Sequence, residues 1–403
     1  MPNLNDIMEM AELLETKAVF VSPDRCVTVR NRNASCRKCL EACPVEGALE
    51  LGMNKLEFNS AFCVECGACT TVCPTEALAP TKPIDGDLAE GIASAMEHAG
   101  GHAVFACARV SSHGEGNPEK YAEVPCLGRI EECLLLNVAA DGAAAITLVD
   151  GNCRTCKYRY TSAGTQDTVD SANSLLESWG AAVRVERASE WPDEVRLRDD
   201  DTVALGESRR AFFLRGKEKA KEGAKSTVLK ALRQGEKIPT LRERLRVAED
   251  GALPHFEAER RPRTLDALDR LGEPCEPELF TRLWGRVEID ADACSGCRMC
   301  TVFCPTGALV LSKEKPPVPE ASEGEDESAK AQKEREAARG QYLEFSTADC
   351  VQCNSCADIC LKKCLTVDPV VRTEELMSFE PRLIWIPSMQ KNNMLGKGLR
   401  GRK

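Results

Sequence analysis

Residues 63–74 read CVECGACTTVCP, in which two-residue gaps separate three cysteines and a fourth cysteine follows after three more residues, directly before a proline. The same spacing recurs in residues 294–305, CSGCRMCTVFCP, and in residues 350–360, CVQCNSCADIC. A related run lies nearer the start of the chain, Cys26-x9-Cys36-x2-Cys39-x3-Cys43-Pro44, with a much longer first gap. Four tight runs therefore hold sixteen of the 23 cysteines.

Runs of this kind suit a cubane iron–sulfur cluster, because each of its four irons takes one thiolate and a short loop can supply three of them. The fourth cysteine then opens the next helix and points away, toward a neighbouring cluster. A following proline fits the first turn of a helix, where no backbone N–H is required. Zinc ribbons are the alternative, but they would pair CxxC units across longer gaps and would not need the third cysteine.

Residues 16–82 and 283–369 resemble two bacterial-type two-cluster ferredoxin modules, and the four runs carry that resemblance. The resemblance implies that runs exchange their fourth cysteine, which gives four ligand sets, each for one [4Fe–4S] cluster. Set A is Cys26, Cys36, Cys39 and Cys73, and set B is Cys43, Cys63, Cys66 and Cys69. Set C is Cys294, Cys297, Cys300 and Cys360, and set D is Cys304, Cys350, Cys353 and Cys356. The additional Cys364 is interpreted as a packed neighbour.

Short alternating segments between the runs predict small hairpins. The first hairpin joins residues 48–51 to 55–58, and the second joins 308–311 to 342–345. Between the strands of the second pair, residues 313–340 are rich in charge and poor in large apolar side chains. That composition predicts a solvated insertion at the hairpin tip.

Residues 98–205 alternate between strand-like and helical segments, which predicts a parallel sheet covered by helices. The predicted strands are 103–106, 122–125, 145–149 and 182–185, and the predicted helices lie near 130–140 and 167–179. The expected fold is therefore a pair of α+β ferredoxin-like modules flanking an α/β middle domain.

Four further cysteines follow the predicted strands of the middle domain: Cys107, Cys126, Cys153 and Cys156. In a parallel sheet the carboxyl ends of the strands meet at one edge, where functional groups gather. We therefore predict a [2Fe–2S] cluster on these four thiols, here called the middle set, which would wire the two modules together. The alternative is that they are small buried side chains, as free cysteines commonly are.

The middle domain also resembles the delta subunit family of viologen-reducing hydrogenases. The matching stretches are Val104–Cys107, Val124–Arg129, Asp141–Ala143, Asp150–Gly151 and Cys156–Tyr158. That family relays electrons to heterodisulfide-reductase-like flavoproteins, so the resemblance implies an electron-transfer subunit. Its first motif usually has a second cysteine, which Ala108-Arg109-Val110 does not supply here, and Cys153 could compensate.

Composition and charge exclude several other classes. No apolar window of about 20 residues occurs, which predicts no membrane insertion, and a net charge of −11 argues against nucleic-acid binding. Clustered cysteines in a long chain favour metal binding in a reducing cytoplasm over a disulfide scaffold.

Residues 206–282 are interpreted as a basic helical linker, because 208–246 carry thirteen Lys or Arg against four Glu. This stretch and the tail, residues 370–403, are expected to dock an acidic partner subunit.

These features predict a multi-cluster subunit that relays low-potential electrons within a larger cytoplasmic oxidoreductase, like those of hydrogenases or heterodisulfide reductases. Its expected partners are redox proteins such as a flavoprotein or a hydrogenase. The alternative is an iron–sulfur oxidoreductase with its own active site in the middle domain. We predict no catalytic residue, since the four histidines suggest no acid–base pair and no convincing nucleotide-binding glycine motif is present.

Overall fold

The computed structural model describes residues 18–198, 241–247, 251–314 and 340–388. The predicted charged insertion, most of the basic stretch and the end of the tail lie outside these residues. In the described part, an N-terminal module precedes a central parallel sheet, and a C-terminal module follows it.

The N-terminal module folds around the first two cysteine runs as two small antiparallel sheets. Its elements are β1 (Val19–Val21), α1 (Val27–Arg30), α2 (Lys38–Ala42), β2 (Leu49–Gly52), β3 (Lys55–Phe58), α3 (Ala68–Thr71) and β4 (Leu78–Pro80). Strand β1 pairs with β4, and β2 pairs with β3, which confirms the predicted hairpin. The core is small, and Leu49, Leu56 and Leu78 share it with cysteines of both runs.

The middle domain contains the predicted parallel sheet. Its elements are α4 (Asp85–His98), β5 (His102–Cys107), α5 (Ala108–Ser111), β6 (Ala122–Val124), α6 (Glu132–Ala140), β7 (Ala145–Val149), α7 (Thr161–Ser178) and β8 (Val185–Ala188). The strand order is β6-β5-β7-β8 and every pair is parallel. The longer helices pack on the face that carries Phe105, whereas Tyr121, Trp191 and Val195 cover the face that carries Val104, so both side chains of the inner strand β5 are fully buried.

Two elements of this domain differ from the sequence prediction. Helix α7 begins at Thr161, six residues earlier than expected. The apolar pattern misses this start because the first turns bury threonines instead of apolar residues. The hydroxyls of Thr165 and Thr168 donate to carbonyls four residues earlier, so they are satisfied within the helix. Strand β8 begins at Val185, where the predicted strand ends, because Val185 is the first residue that pairs with β7.

Residues 260–284 pack with the middle domain, although the sequence analysis assigns most of them to the linker. Between the domains lie α8 (Leu241–Arg244), α9 (Arg260–Leu271) and β9 (Glu278–Phe280). Leu265 and Leu268 of α9, together with Trp284, are buried in the same core as the parallel sheet. These two leucines form a narrow apolar stripe on an otherwise charged helix, a pattern that average composition hides.

The C-terminal module repeats the antiparallel architecture. Its elements are β10 (Arg286–Ile289), α10 (Met299–Val302), β11 (Leu309–Leu311), β12 (Gly340–Phe345), α11 (Ser355–Ile359), β13 (Leu365–Asp368), β14 (Val370–Arg372), α12 (Thr373–Met377) and β15 (Arg382–Pro387). Strand β11 pairs with β12 as predicted, and β10 pairs with β13. Residues 370–387, assigned to the docking tail from sequence, belong to this module, because β14 pairs with β9 and β15 covers the edge of β12. None of the described helices is both long and apolar enough to span a membrane.

Candidate iron–sulfur sites

Three of the cysteine runs share one backbone form. Each run has two residues with positive φ: the second residue after its first cysteine, and the residue directly after its second cysteine. These residues are Glu65 and Gly67, Gly296 and Arg298, and Gln352 and Asn354. Left-handed residues turn the chain sharply, so that a few residues can wrap around one centre. The N–H groups of Glu65 and Gly296 donate to the Sγ atoms of Cys63 and Cys294 at 3.3 and 3.4 Å. Hydrogen bonds of this kind stabilise a thiolate ligand.

In the N-terminal module each group of neighbouring thiols contains cysteines of both runs. Burial raises the pKa of Cys39 to about 12, and the nearby thiols of the other three members of set A, Cys73 included, raise it as well. Burial likewise raises the pKa of Cys66 to about 12, with contributions from Cys126, Cys43 and Cys63. Deprotonated together, these thiols would repel one another, and the iron of a bound cluster would stabilise them as thiolates.

The C-terminal module has the same crossing. A small cavity is lined by all four members of set D, so that Cys304 of the third run faces Cys350, Cys353 and Cys356 of the fourth. A [4Fe–4S] cluster would fit the donor chemistry of this cavity, since four thiols are its normal ligands. In the described part of the chain, no group of three His, Cys, Asp or Glu side chains is arranged to hold a single metal ion.

Set C differs from the others by its extra thiol. Burial raises the pKa of Cys300 to about 12, and the thiols of Cys297 and Cys294 raise it further. The Sγ atom of Cys364 lies 3.5 Å from that of Cys360, and the Cys294 thiol lies near it. Cys364 is thus a packed neighbour of two members of set C.

Comparison with known proteins identifies a domain type at both modules. A profile described as a 4Fe-4S dicluster domain matches residues 34–77, and another with the same description matches residues 286–361. Both ends of the chain carry 4Fe-4S dicluster domains. The protein is therefore an iron–sulfur electron-transfer protein with ligands for up to four [4Fe–4S] clusters.

The similar proteins cover only a small part of the chain. Ferredoxins from Streptomyces griseus and Mycolicibacterium smegmatis are each 39% identical over 59 residues, which is 15% of this chain and 50% of theirs. NADH-quinone oxidoreductase subunit I 2 from Anaeromyxobacter dehalogenans (strain 2CP-C) is 39% identical over 56 residues, 14% of this chain and 21% of that protein. No solved structure matches the chain.

The structure brings three members of the middle set together at the carboxyl edge of the parallel sheet. Cys107 ends β5, and Cys126 and Cys156 lie in the loops after β6 and β7. Burial raises the pKa of Cys126, and the thiols of Cys107 and Cys156 raise it as well. The thiol of Cys153 instead lies 3.5 Å from the carboxylate of Asp150. The [2Fe–2S] cluster and its four ligands stay a prediction.

The loop at Cys156 nonetheless has a feature of the ferredoxin runs. The N–H of Tyr158 donates to the Sγ atom of Cys156 at 3.5 Å, two residues later in the chain, as Glu65 does to Cys63. The Tyr158 hydroxyl donates in turn to the carbonyl of Val64 at 2.9 Å. Cys126 and Cys66 share one buried cluster, so the middle set lies directly beside set B.

A buried ionic network, not foreseen from the sequence, fixes the N-terminal module to the middle domain. Arg260 of α9 pairs with Glu131 at 2.7 Å and with Asp85 at 3.3 Å, and it donates to the carbonyl of Thr70 at 2.7 Å. Arg129 pairs with Asp85 as well. These residues are distant in sequence and follow no spacing rule, so only the tertiary structure shows their association.

Close packing at Gly67 gives a test of this docking. A Cβ atom at Gly67 would lie 2.8 Å from Cδ of Arg129, whereas a Cβ at Gly47, which has the same φ of 80°, would meet nothing within 4 Å. Both alanine variants carry left-handed strain, so Gly47→Ala is a matched control. We expect Gly67→Ala to lose about 1–3 kcal/mol more stability than Gly47→Ala in denaturant unfolding of the iron-loaded protein. Equal losses would show that Arg129 is free to move away.

Glu131 makes the stability of this interface dependent on pH. Burial raises the pKa of Glu131 to about 7, although Arg260 opposes the shift. The folded state thus favours protonated Glu131. This carboxyl adds to the unfolding free energy fully below its ordinary pKa near 4.5, and the added stability is lost as pH rises through about 7. The stability lost is about 3 kcal/mol. In Glu131→Gln the decline in unfolding free energy between pH 5 and 8 should be shallower, while exposed Glu97→Gln should keep the wild-type slope. An unchanged slope in Glu131→Gln would contradict this assignment.

Proposed function

We propose that the protein is a multi-cluster electron-transfer subunit that relays low-potential electrons within a larger oxidoreductase, with redox proteins such as a flavoprotein or a hydrogenase as partners. When bound, each [4Fe–4S] cluster supplies a one-electron redox centre. The supporting observation is the close succession of thiol sets. Cys69 of set B and Cys39 of set A belong to one buried core, and Cys356 of set D and Cys300 of set C belong to another.

The middle domain extends this succession by one site. Because Cys66 and Cys126 are buried together, a group bound at the middle set would neighbour set B without intervening solvent. The resemblance to the delta subunit family supports the same role, with the middle domain as the place where a partner subunit connects to the relay.

An anaerobic reductive titration tests this function. We expect the iron-loaded protein to take up about four electrons in its cubanes, one for each cluster, and to return them to an added electron acceptor. A [2Fe–2S] cluster would add one electron, and Cys126→Ala would remove that addition. Uptake without return to any acceptor would contradict the relay.

The alternative, an oxidoreductase with its own active site, is favoured by one observation. A cavity of about 400 Å³ lies between the N-terminal module, the middle domain and α9, and its walls include Cys73, Tyr160 and Arg261. This volume suits a small molecule. Steady-state reduction of a small substrate by the isolated chain, supplied only with an electron donor, would favour the alternative, because a relay subunit has no substrate of its own.

A further inference from the structure

The first cysteine run has a nine-residue gap, Val27–Ser35, where the other runs have two residues. Ligation of a cluster does not require this expansion, since three other runs bind without it. In the structure the gap forms helix α1 and then an extended return to Cys36. Its residues contact Asp358 of the C-terminal module and Pro254 of the segment before α9, both more than 200 residues away in sequence.

Two sets of hydrogen bonds make this contact. The N–H and hydroxyl of Ser35 donate to the carboxylate of Asp358 at 2.7 and 2.9 Å. Asp358 lies in α11, between the fourth-run cysteines Cys356 and Cys360. The gap therefore reaches the cluster-binding loop of the other module.

Arg30 makes the second set. Its Nη2 atom donates to the carbonyl of Pro254 at 2.8 Å. Residues near Pro254 are hydrogen-bonded to the third run. The N–H of Leu253 donates to the carbonyl of Val302 at 3.1 Å, and the N–H of Phe256 donates to the carbonyl of Pro305 at 3.0 Å. This segment connects Arg30 to both sides of Cys304.

Arg30 is also a buried positive charge, and the segment that it bonds to flanks Cys304 of set D on both sides. Only 7% of its surface is exposed, and its Nε atom has no hydrogen-bond partner among the described residues. Burial lowers the pKa of Arg30, while Cys304, Asp24 and Cys353 act to raise it. A buried cation calls for a nearby anion. A cubane with four thiolate ligands is an anion and becomes more negative on reduction.

The two modules also approach each other directly at their cysteines. Ser35, which bonds to Asp358, directly precedes Cys36 of set A, and Asp358 lies two residues after Cys356 of set D. Set A of one module and set D of the other are therefore adjacent.

We propose that the expanded first gap is an inter-module junction, which holds set A against set D and supplies Arg30 as the charge-compensating positioning residue of the set D cluster. Electrons cross between the modules here, each transfer oxidising one cluster and reducing the other by one electron, with no bond made or broken. The sites then follow the order C, D, A, B and middle set. The middle domain stands at the end of this order, whereas its place in the sequence predicts a position between the modules. The inference rests on the proposed electron-transfer function.

Redox titration monitored by electron paramagnetic resonance tests the role of Arg30. In Arg30→Gln the midpoint potential of the set D cluster should shift to more negative values, because the charge that stabilises the reduced form is gone. Arg30→Lys should keep most of the wild-type potential. Arg32→Gln removes the same charge from an exposed position of the same gap and should leave the potential unchanged. An unshifted set D potential in Arg30→Gln, or loss of the cluster in both Arg30 variants, would overturn the assignment.

A second measurement tests adjacency without changing Arg30. In the reduced protein, spin relaxation of the set D cluster should slow when Cys39→Ala empties set A, since a neighbouring spin is removed. Emptying set B with Cys63→Ala should leave it unchanged. A response to Cys63→Ala alone would place the middle domain between the modules and overturn the junction. Failure of the relay itself would appear differently, as intact clusters that do not return electrons.

Discussion

Replacing Cys73 with serine should remove the cluster held by Cys26, Cys36 and Cys39, while the cluster of Cys63, Cys66 and Cys69 remains. Cys73 belongs to the second run, but its thiol lies with those of set A. Iron content should fall by about four per chain, because a cubane that loses one ligand is not retained well. The measurement is iron analysis combined with electron paramagnetic resonance of the reduced protein.

The matched control for this experiment is Cys275→Ser. Cys275 is exposed and belongs to none of the runs, so that variant should keep all of its iron. Loss of the Cys63–Cys66–Cys69 cluster alone in Cys73→Ser would mean that each run binds its own cluster. That result would contradict the crossed assignment and, with it, the order of the sites.

Removing iron with a chelator should unfold both terminal modules and leave the middle domain folded. The terminal cores are small and include cysteines of the ligand sets, so that losing the metal removes much of what holds them together. An isolated two-stranded hairpin is only marginally stable by itself. The middle domain instead has a large apolar core around a four-stranded sheet.

Amide hydrogen exchange measures this difference segment by segment. Protection should be lost in β2–β3 and in β11–β12, and should persist in β5 and β7. Anaerobic addition of iron and sulfide should restore the lost protection. Uniform loss across all three parts would show that the middle domain depends on the clusters, and uniform retention would show that the terminal modules do not.

Much of this architecture can be predicted from sequence because its determinants are local. Three thiolates for one cluster must come from a short loop, so the spacing of Cys63, Cys66 and Cys69 is visible directly. The strands of the parallel sheet are likewise short apolar runs. The limits appear where local patterns are masked, as in α7, whose buried threonines satisfy their hydroxyls within the helix.

Other features could not be predicted because they arise only on docking. Helix α9 looks like part of a charged linker until Leu265 and Leu268 are seen in the core of the middle domain. The nine-residue gap of the first run is visible in the sequence, but its contact with Asp358 is not. No sequence motif marks Arg30, because the cysteines near it, Cys304 and Cys353, are more than 270 positions away in the sequence.

The central claim is that the chain holds four [4Fe–4S] clusters on crossed ligand sets. Metal analysis and Mössbauer spectroscopy of anaerobically reconstituted protein test it most directly. The account predicts about sixteen irons per chain in cubane clusters, four for each set, with about two more if the middle set binds a [2Fe–2S] cluster. Zinc in place of iron, or cubane iron for only two clusters, would contradict it.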